Sequence, residues 1–155
     1  MIESNVMPNK KNRRPPYALI TFPSADTNNG VLRMFQTHPS KAGYVPFPIR
    51  KVLVISGMKG KDARGAHTHH KTRQILLCLS GGCTVDLDDG TAKKSIRLSK
   101  PDQGLMLYPY VWHVMRNFKP NTLLLVIADR PYDEKEYIRD YEKFLSYARK
   151  RRPAK

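Results

Sequence analysis

Residues 64–90, RGAHTHHKTRQILLCLSGGCTVDLDDG, decide the fold. Gln74–Ser80 is an apolar run too short for a core helix and is bounded by Gly81-Gly82. Cys83–Leu87 alternates apolar and polar residues, as a half-buried strand does, and ends at the turn signal Asp88-Asp89-Gly90. The stretch therefore predicts two strands joined as a hairpin through Gly81-Gly82. Outward from it, further short β segments are expected. Tyr17–Phe22 and Val31–Gln36 are separated by the turn-forming run SADTNNG, and Lys51–Ser56 is rich in β-branched residues. Lys94–Leu98, Leu105–Tyr108, Trp112–Asn117 and Thr122–Ala128 complete the series. Turn signals recur about every 8–12 residues, the pattern of an all-β sandwich or barrel rather than of βαβ units. The period changes after Pro131. Tyr137, Ile138, Tyr141, Phe144, Leu145 and Ala148 share a helical face, and Asp133 followed by Glu136 has the form of a capping box. One helix over residues 134–149 is expected, packed on the outside of the sheet.

The chain has 155 residues, 28 Lys plus Arg, 13 Asp plus Glu and a net charge of +15. One domain is expected over residues 17–148, between basic tails at 1–16 and 149–155. The tails account for +8 of the net +15. The surplus of +7 on the body favours an anionic ligand such as a phosphate or nucleotide. The body lacks the interleaved basic and aromatic motifs of RNA-binding folds, so nucleic acid is not an expected partner. No apolar run approaches the roughly 18 residues of a membrane span, and no membrane partner is expected. A polar N-terminal stretch and two cysteines, Cys78 and Cys83, read as reduced thiols, suggest a cytoplasmic protein.

Three of five histidines lie in residues 64–70. On a strand, His67 and His69 share one face and His70 points away. Two imidazoles on the inner face of a small barrel suit either metal binding or acid–base chemistry; buried, hydrogen-bonded histidines are the structural alternative. Gln74, Gly81, Gly104, Pro109, His113 and Asn117 follow at intervals that resemble the two-part signature of the cupins. That resemblance implies a double-stranded jelly roll. Metal-binding cupins place a glutamate where this chain has Gln74, and a neutral amide is a poor ligand for a divalent cation.

Three blocks, RGAHTHHKTRQILLCLSGGCTVDLDDG, GLMLYPYVWHVMRNF and LLLVIADRPYDEKEYIRDYEKF, resemble the sugar 3,4-ketoisomerases, cupins that act on dTDP-4-keto-6-deoxyglucose in deoxyaminosugar biosynthesis. The resemblance runs from about Asn29 to Phe144. It implies an all-β cupin jelly roll with one C-terminal helix, a homodimer with exchanged N-terminal strands, and catalysis without a cofactor or metal. Moving a ketone from C4 to C3 requires a proton to leave C3 and another to arrive at C4, which groups titrating near neutrality perform. By resemblance His67 is the proton shuttle, and His69 orients it or holds the sugar oxygens. Arg64 is a candidate for the pyrophosphate. Gln74, Tyr108, Trp112 and His113 are candidates for substrate contacts, with core packing the alternative for Trp112. His113 also matches members that give the galacto-configured product.

Two departures stand out. Asn29-Gly30-Val31-Leu32 replaces an Arg-Gly-Ser-Leu turn, leaving Asn29 and nearby Arg33 as candidates for the substrate contact made there. Leu53 occupies the position of a family tyrosine, so either Tyr108, Tyr44 or a water supplies the missing hydroxyl, or the substrate or the activity differs. Two other readings remain at this point: a metal-dependent cupin enzyme using His67, His69 and His113, and a non-catalytic nucleotide-sugar-binding cupin.

Overall fold

The computed structural model describes residues 15–151, so most of both basic tails lies outside the described residues. Two five-stranded antiparallel sheets hold the apolar interior. The first contains β1 (Tyr17–Thr21), β9 (Gln103–Leu107), β6 (Gln74–Ser80), β11 (Leu123–Ala128) and β4 (Lys51–Ile55), in that spatial order. The second runs β12 (Tyr137–Ile138), β5 (Arg64–His69), β10 (Trp112–Arg116), β7 (Cys83–Asp88) and β8 (Lys93–Leu98). A separate hairpin pairs β2 (Ser24–Thr27) with β3 (Gly30–Arg33), and one helix, α1 (Tyr141–Lys150), follows β12. This is the expected all-β, two-sheet architecture with a C-terminal helix.

The Gly81-Gly82 hairpin expected between β6 and β7 does not form. β6 pairs with β9 and β11, whereas β7 pairs with β8 and β10, so the two glycines carry the chain from one sheet to the other. Thr122 explains the crossing. Its hydroxyl accepts from the Gly82 N–H at 3.1 Å and lies 2.6 Å from the Lys119 carbonyl. Gly81 turns around it at φ +74°, where a β-carbon would stand 2.6 Å from Thr122 Cα. The DDG turn does close a hairpin, pairing Asp88 with Lys93. SADTNNG is less a loop than a hairpin of its own, since Ser24–Thr27 extends along β3 before the chain reverses.

The helix expected over 134–149 is broken. Asp133 caps only a 3-10 turn over Glu134–Glu136, and Tyr137–Ile138 then pairs with β5 as a strand. Glu136 does not complete a capping box. Its carboxylate instead accepts from the Lys71 N–H, the Thr72 N–H and the Thr72 hydroxyl, stitching the segment to the β5–β6 connection. The true N-cap is Asp140, whose side chain accepts from the Lys143 N–H. From there Phe144 and Ala148 bury against Ile138, with Trp112, Tyr110, Tyr141 and Leu145 packed around them, on the outer face of the second sheet.

Between the sheets lies a core of Leu76, Cys78, Cys83, Val85, Leu87, Leu98, Leu105, Leu107, Met115, Leu124 and Val126. Strand alternation carries this inner face onward at one end. Two residues before Leu76 comes Gln74, two before Met115 comes His113, and two before Leu53 comes Lys51. The sheet register aligns Leu53, Val126 and Leu76 in one row, and Lys51, Ala128 and Gln74 in the next. The interior therefore changes from aliphatic to polar within one side-chain layer.

Gly81→Ala tests the sheet crossing. The clash is with backbone of Thr122, which cannot swing aside, so the substitution is expected to lower unfolding free energy by about 1–3 kcal/mol in urea titration. A midpoint unchanged from wild type would contradict this account.

Candidate functional site

The polar layer is organised around His67, placed by a local irregularity. Gly65 has φ +93° and Ala66 φ +53°, and the β5–β10 register slips there, pairing His67 with His113 but Gly65 with Val114. A β-carbon on Gly65 would lie 2.8 Å from the His113 carbonyl oxygen. Glycine thus permits a bulge, which re-aims the next side chain. The imidazole of His67 lies 4.5 Å from that of His113 and 4.9 Å from that of His69, centroid to centroid. His70 turns to the opposite face, where its Nδ1 meets the Tyr110 hydroxyl at 2.9 Å. The expected alternation therefore holds.

His113 is fixed on both nitrogens. Nδ1 faces the Val111 carbonyl oxygen at 3.2 Å, which requires a proton on that nitrogen, and Nε2 then accepts from the Gln74 amide at 3.1 Å. Burial holds it neutral, with a pKa lowered to about 3, and His67 nearby adds to the shift. His69 is lowered to about 2, by burial first and then by His113 and His67. His67 is half-buried and lowered chiefly by burial; Arg139 and Lys51 push the same way, and the Gly65 backbone and Glu134 partly oppose them. Its Nδ1 is buried and closes no hydrogen bond within the described residues. The three rings are thus neutral at pH 7, and His67 is the least buried of them.

Sequence reasoning missed a second group in this layer. Tyr137, opposite His69 across the β12–β5 pairing, brings its ring to 4.5 Å from His69 and 5.0 Å from His67. Lys51 Nζ donates to the Tyr137 hydroxyl at 3.4 Å. The Arg139 guanidinium sits 4.4 Å from the Tyr137 ring, held by Glu134 at 2.8 Å. Both residues were visible in the sequence, Tyr137 in the YIRDY segment and Lys51 two places before Leu53. Helical periodicity over 134–149 concealed the first, and lysines on a basic chain carry little signal.

Other expected residues lie elsewhere. Trp112 alternates with His113 and faces out, packed on Tyr141 and Phe144 beneath α1, the core-packing alternative. Tyr108 packs with Ile20, Phe22 and Met106 on the outer side of the first sheet, and Tyr44 lies against His38 and Lys41. Arg64 is exposed at the start of β5. Asn29, in the β2–β3 turn, donates its N–H to Thr27, and Arg33 ends β3. Among the described residues, no three His, Cys, Asp or Glu side chains converge to hold a metal ion. With a Gln74 N–H already directed at His113 Nε2, the donor set does not fit one.

The two strongly shifted histidines make stability pH-dependent. Each titrates lower in the folded chain than the ordinary value of 6.5, so between those values the unfolded chain binds more protons. Their contribution is intact above pH 6.5 and is lost as pH falls. From pH 7 to pH 5 each should cost about 2 kcal/mol of unfolding free energy. Urea titration at both pH values checks this, and His69→Asn should show a shallower loss. Equal stability of the wild-type protein at the two pH values would contradict the burial of neutral imidazoles.

Comparison with known proteins agrees with this fold. Residues 16–149 match the family model described as "FdtA: WxcM-like, C-terminal". A TDP-4-oxo-6-deoxy-alpha-D-glucose-3,4-oxoisomerase from Aneurinibacillus thermoaerophilus is 43% identical over 106 residues, 68% of this chain and 76% of that protein. The crystal structure of a sugar 3,4-ketoisomerase from Thermoanaerobacterium thermosaccharolyticum in complex with TDP superposes with a TM-score of 0.83 at 34% identity, covering 88% of this chain and 96% of the other. A 3,4-ketoisomerase from Helicobacter canadensis gives 0.80 at 36% identity, over 86% and 97% of the two chains. A chain with this two-sheet fold, its paired histidines and a family match over nearly its whole length belongs to the FdtA, WxcM-like family of sugar 3,4-ketoisomerases.

Proposed function

We propose that this protein converts a TDP-linked 4-keto-6-deoxyhexose to its 3-keto isomer, with His67 carrying the proton from C3 to C4. The observation that supports this most directly is the place of His67: half-buried beside the register slip of β5, with its ring 4.9 Å from that of His69 and 4.5 Å from that of His113, and with burial lowering its proton affinity. A base must be unprotonated to act, and burial keeps it so. His69 is assigned to holding the sugar, His113 to backing His67 from beneath, and Gln74 to fixing His113. Arg64, at the exposed start of the strand that carries His67, is assigned to the diphosphate. No step requires a metal, and the metal-dependent reading is not favoured.

We further propose a homodimer with exchanged N-terminal strands. The β2–β3 hairpin pairs with neither main sheet, and it carries exposed Val31 and Leu32, with Met34 just beyond; Val52, Leu53 and Val54 are exposed on the edge strand β4. Exposed apolar side chains grouped on a hairpin and on an edge strand support an interface there. In the dimer, Asn29 and Arg33 are assigned to substrate contact across it. A cytoplasmic location is also proposed, supported by the two free, buried cysteines.

Two measurements test these readings. Incubated in D₂O with TDP-4-keto-6-deoxyglucose, the enzyme should wash deuterium into the hexose and yield the 3-keto sugar, followed by NMR. His67→Asn should slow both by about 10²–10⁴-fold. A folded wild-type protein that gives neither exchange nor product would reject this substrate. Light scattering should show twice the 17.8 kDa chain mass, and Leu32→Asp with Val54→Asp should shift it towards monomer. A monomeric wild-type protein would reject the dimer.

A further inference from the structure

The histidines alone leave the oxygen chemistry of a ketone shift unserved. As the carbonyl at C4 becomes a hydroxyl, O4 must gain a proton, and O3 must lose one. His113 has both nitrogens engaged, by the Val111 carbonyl and the Gln74 amide. His67 is occupied with the carbon-bound proton. His69 is buried and neutral. The sequence-based substitutes for a hydroxyl at position 53 are no help: Tyr44 lies against His38 and Lys41, and Tyr108 packs with the outer apolar cluster. Leu53 itself offers only methyl groups.

We propose that Tyr137 is the catalytic hydroxyl of this enzyme, passing a proton between O4 and O3 of the sugar, and that Lys51 is its positioning residue. The inference rests on the ketoisomerase reading above. Tyr137 is the tyrosine whose ring touches both His67 and His69. It is held from three directions. The backbone pairs it with His69, Ile138 anchors the next position beneath α1, and Arg139 stacks on the ring from a salt bridge with Glu134. The Lys51 ammonium donates to the phenol oxygen. That oxygen therefore keeps its own proton free to donate, and a cation stands beside it to stabilise the charge left when the proton moves.

The steps balance. His67 takes the proton from C3, and the C3–H electron pair forms the C3–C4 double bond. The C4 carbonyl π pair moves to O4, which takes the Tyr137 hydroxyl proton. In the second half the tyrosinate oxygen recovers a proton from the C3 hydroxyl, and the O3 pair forms the new carbonyl. The C3–C4 pair then takes the proton held by His67, now at C4. Both side chains end as they began.

Tyr137→Phe keeps the ring against the histidines and removes only the hydroxyl. Its kcat is expected to fall at least about 100-fold, with deuterium exchange falling in parallel, while KM and TDP affinity stay within about twofold. Lys51→Met should lower kcat about tenfold, with Lys51→Arg retaining most activity because it restores a cationic donor. Tyr137→Phe with kcat within threefold of wild type would overturn the proposal. If that variant does not fold, an unchanged kcat in Lys51→Met overturns the positioning role and with it the proton path. The wild-type assay separates the two levels. A wild type that does not isomerise TDP-4-keto-6-deoxyglucose brings down the functional reading and this inference together, whereas an active wild type with an equally active Tyr137→Phe removes the inference alone.

Discussion

The hydrogen bond between Gln74 and His113 joins the two sheets at the point where the apolar interior ends. Gln74 belongs to one sheet and His113 to the other. Both sit one layer above buried aliphatic residues, so neither can reach bulk water for a substitute partner. Losing either side would strand a buried polar group, which is costly. The bond also has a direction. Because the Val111 carbonyl requires a proton on Nδ1, the amide must present its N–H to Nε2, and the imidazole is locked in one neutral tautomer. A carboxylate at position 74 could not make this bond to the same tautomer. It would instead call for a protonated imidazole or an ion between them, as in the metal-binding pattern that this chain departs from. One amide therefore decides that the floor of the pocket is uncharged, and His67 opposes His113 across that floor.

Much of the architecture was legible because short strands leave strong marks: alternation, β-branched runs and glycine-rich turns. The inward pairing of His67 and His69 followed from period two alone. Connectivity was less legible. Gly81-Gly82 reads like a hairpin turn in any local window, and only Thr122, some forty residues on, shows that the chain must cross between sheets there. The C-terminal segment failed for a related reason. Tyr137 and Ile138 satisfy a helical period with Tyr141 and Phe144, yet Glu136 has better partners in the backbone of Lys71 and Thr72 than a helix N-terminus could offer. Tertiary hydrogen bonds overrode a local signal, and the cost to sequence reading was the tyrosine beside the histidines. Trp112 shows the complement: its neighbour His113 faces inward, so alternation alone already sends it outward to Phe144.

That break in the helical pattern has a structural logic. A helix starting at residue 134 would carry Tyr137 and Ile138 round successive faces, about 100° apart. As a strand, the two point to opposite sides of the second sheet. Ile138 goes to the α1 cluster and Tyr137 to the histidines. The helix begins only at Asp140, after the strand has delivered both side chains, and its Phe144 then clamps Ile138 from outside. Stability and site geometry thus depend on the same two residues.

The electrostatics of the pocket gain their meaning from the ligand proposed for it. Burial, together with Arg139 and Lys51, lowers the proton affinity of His67. On its own that makes a poor base, since the imidazolium formed on proton abstraction would face two cations, only one of them paired with Glu134, in a poorly solvated site. A diphosphate and a developing negative charge on the sugar oxygens reverse the sign of that field. The same lysine and arginine then attract the substrate, and the substrate's charge offsets the repulsion they exert on a protonated His67. A neutral floor, a cationic rim and an anionic sugar nucleotide form a complementary set. Under the proposed function, the imidazoles are uncharged by burial and the anionic substrate is what makes His67 a competent base.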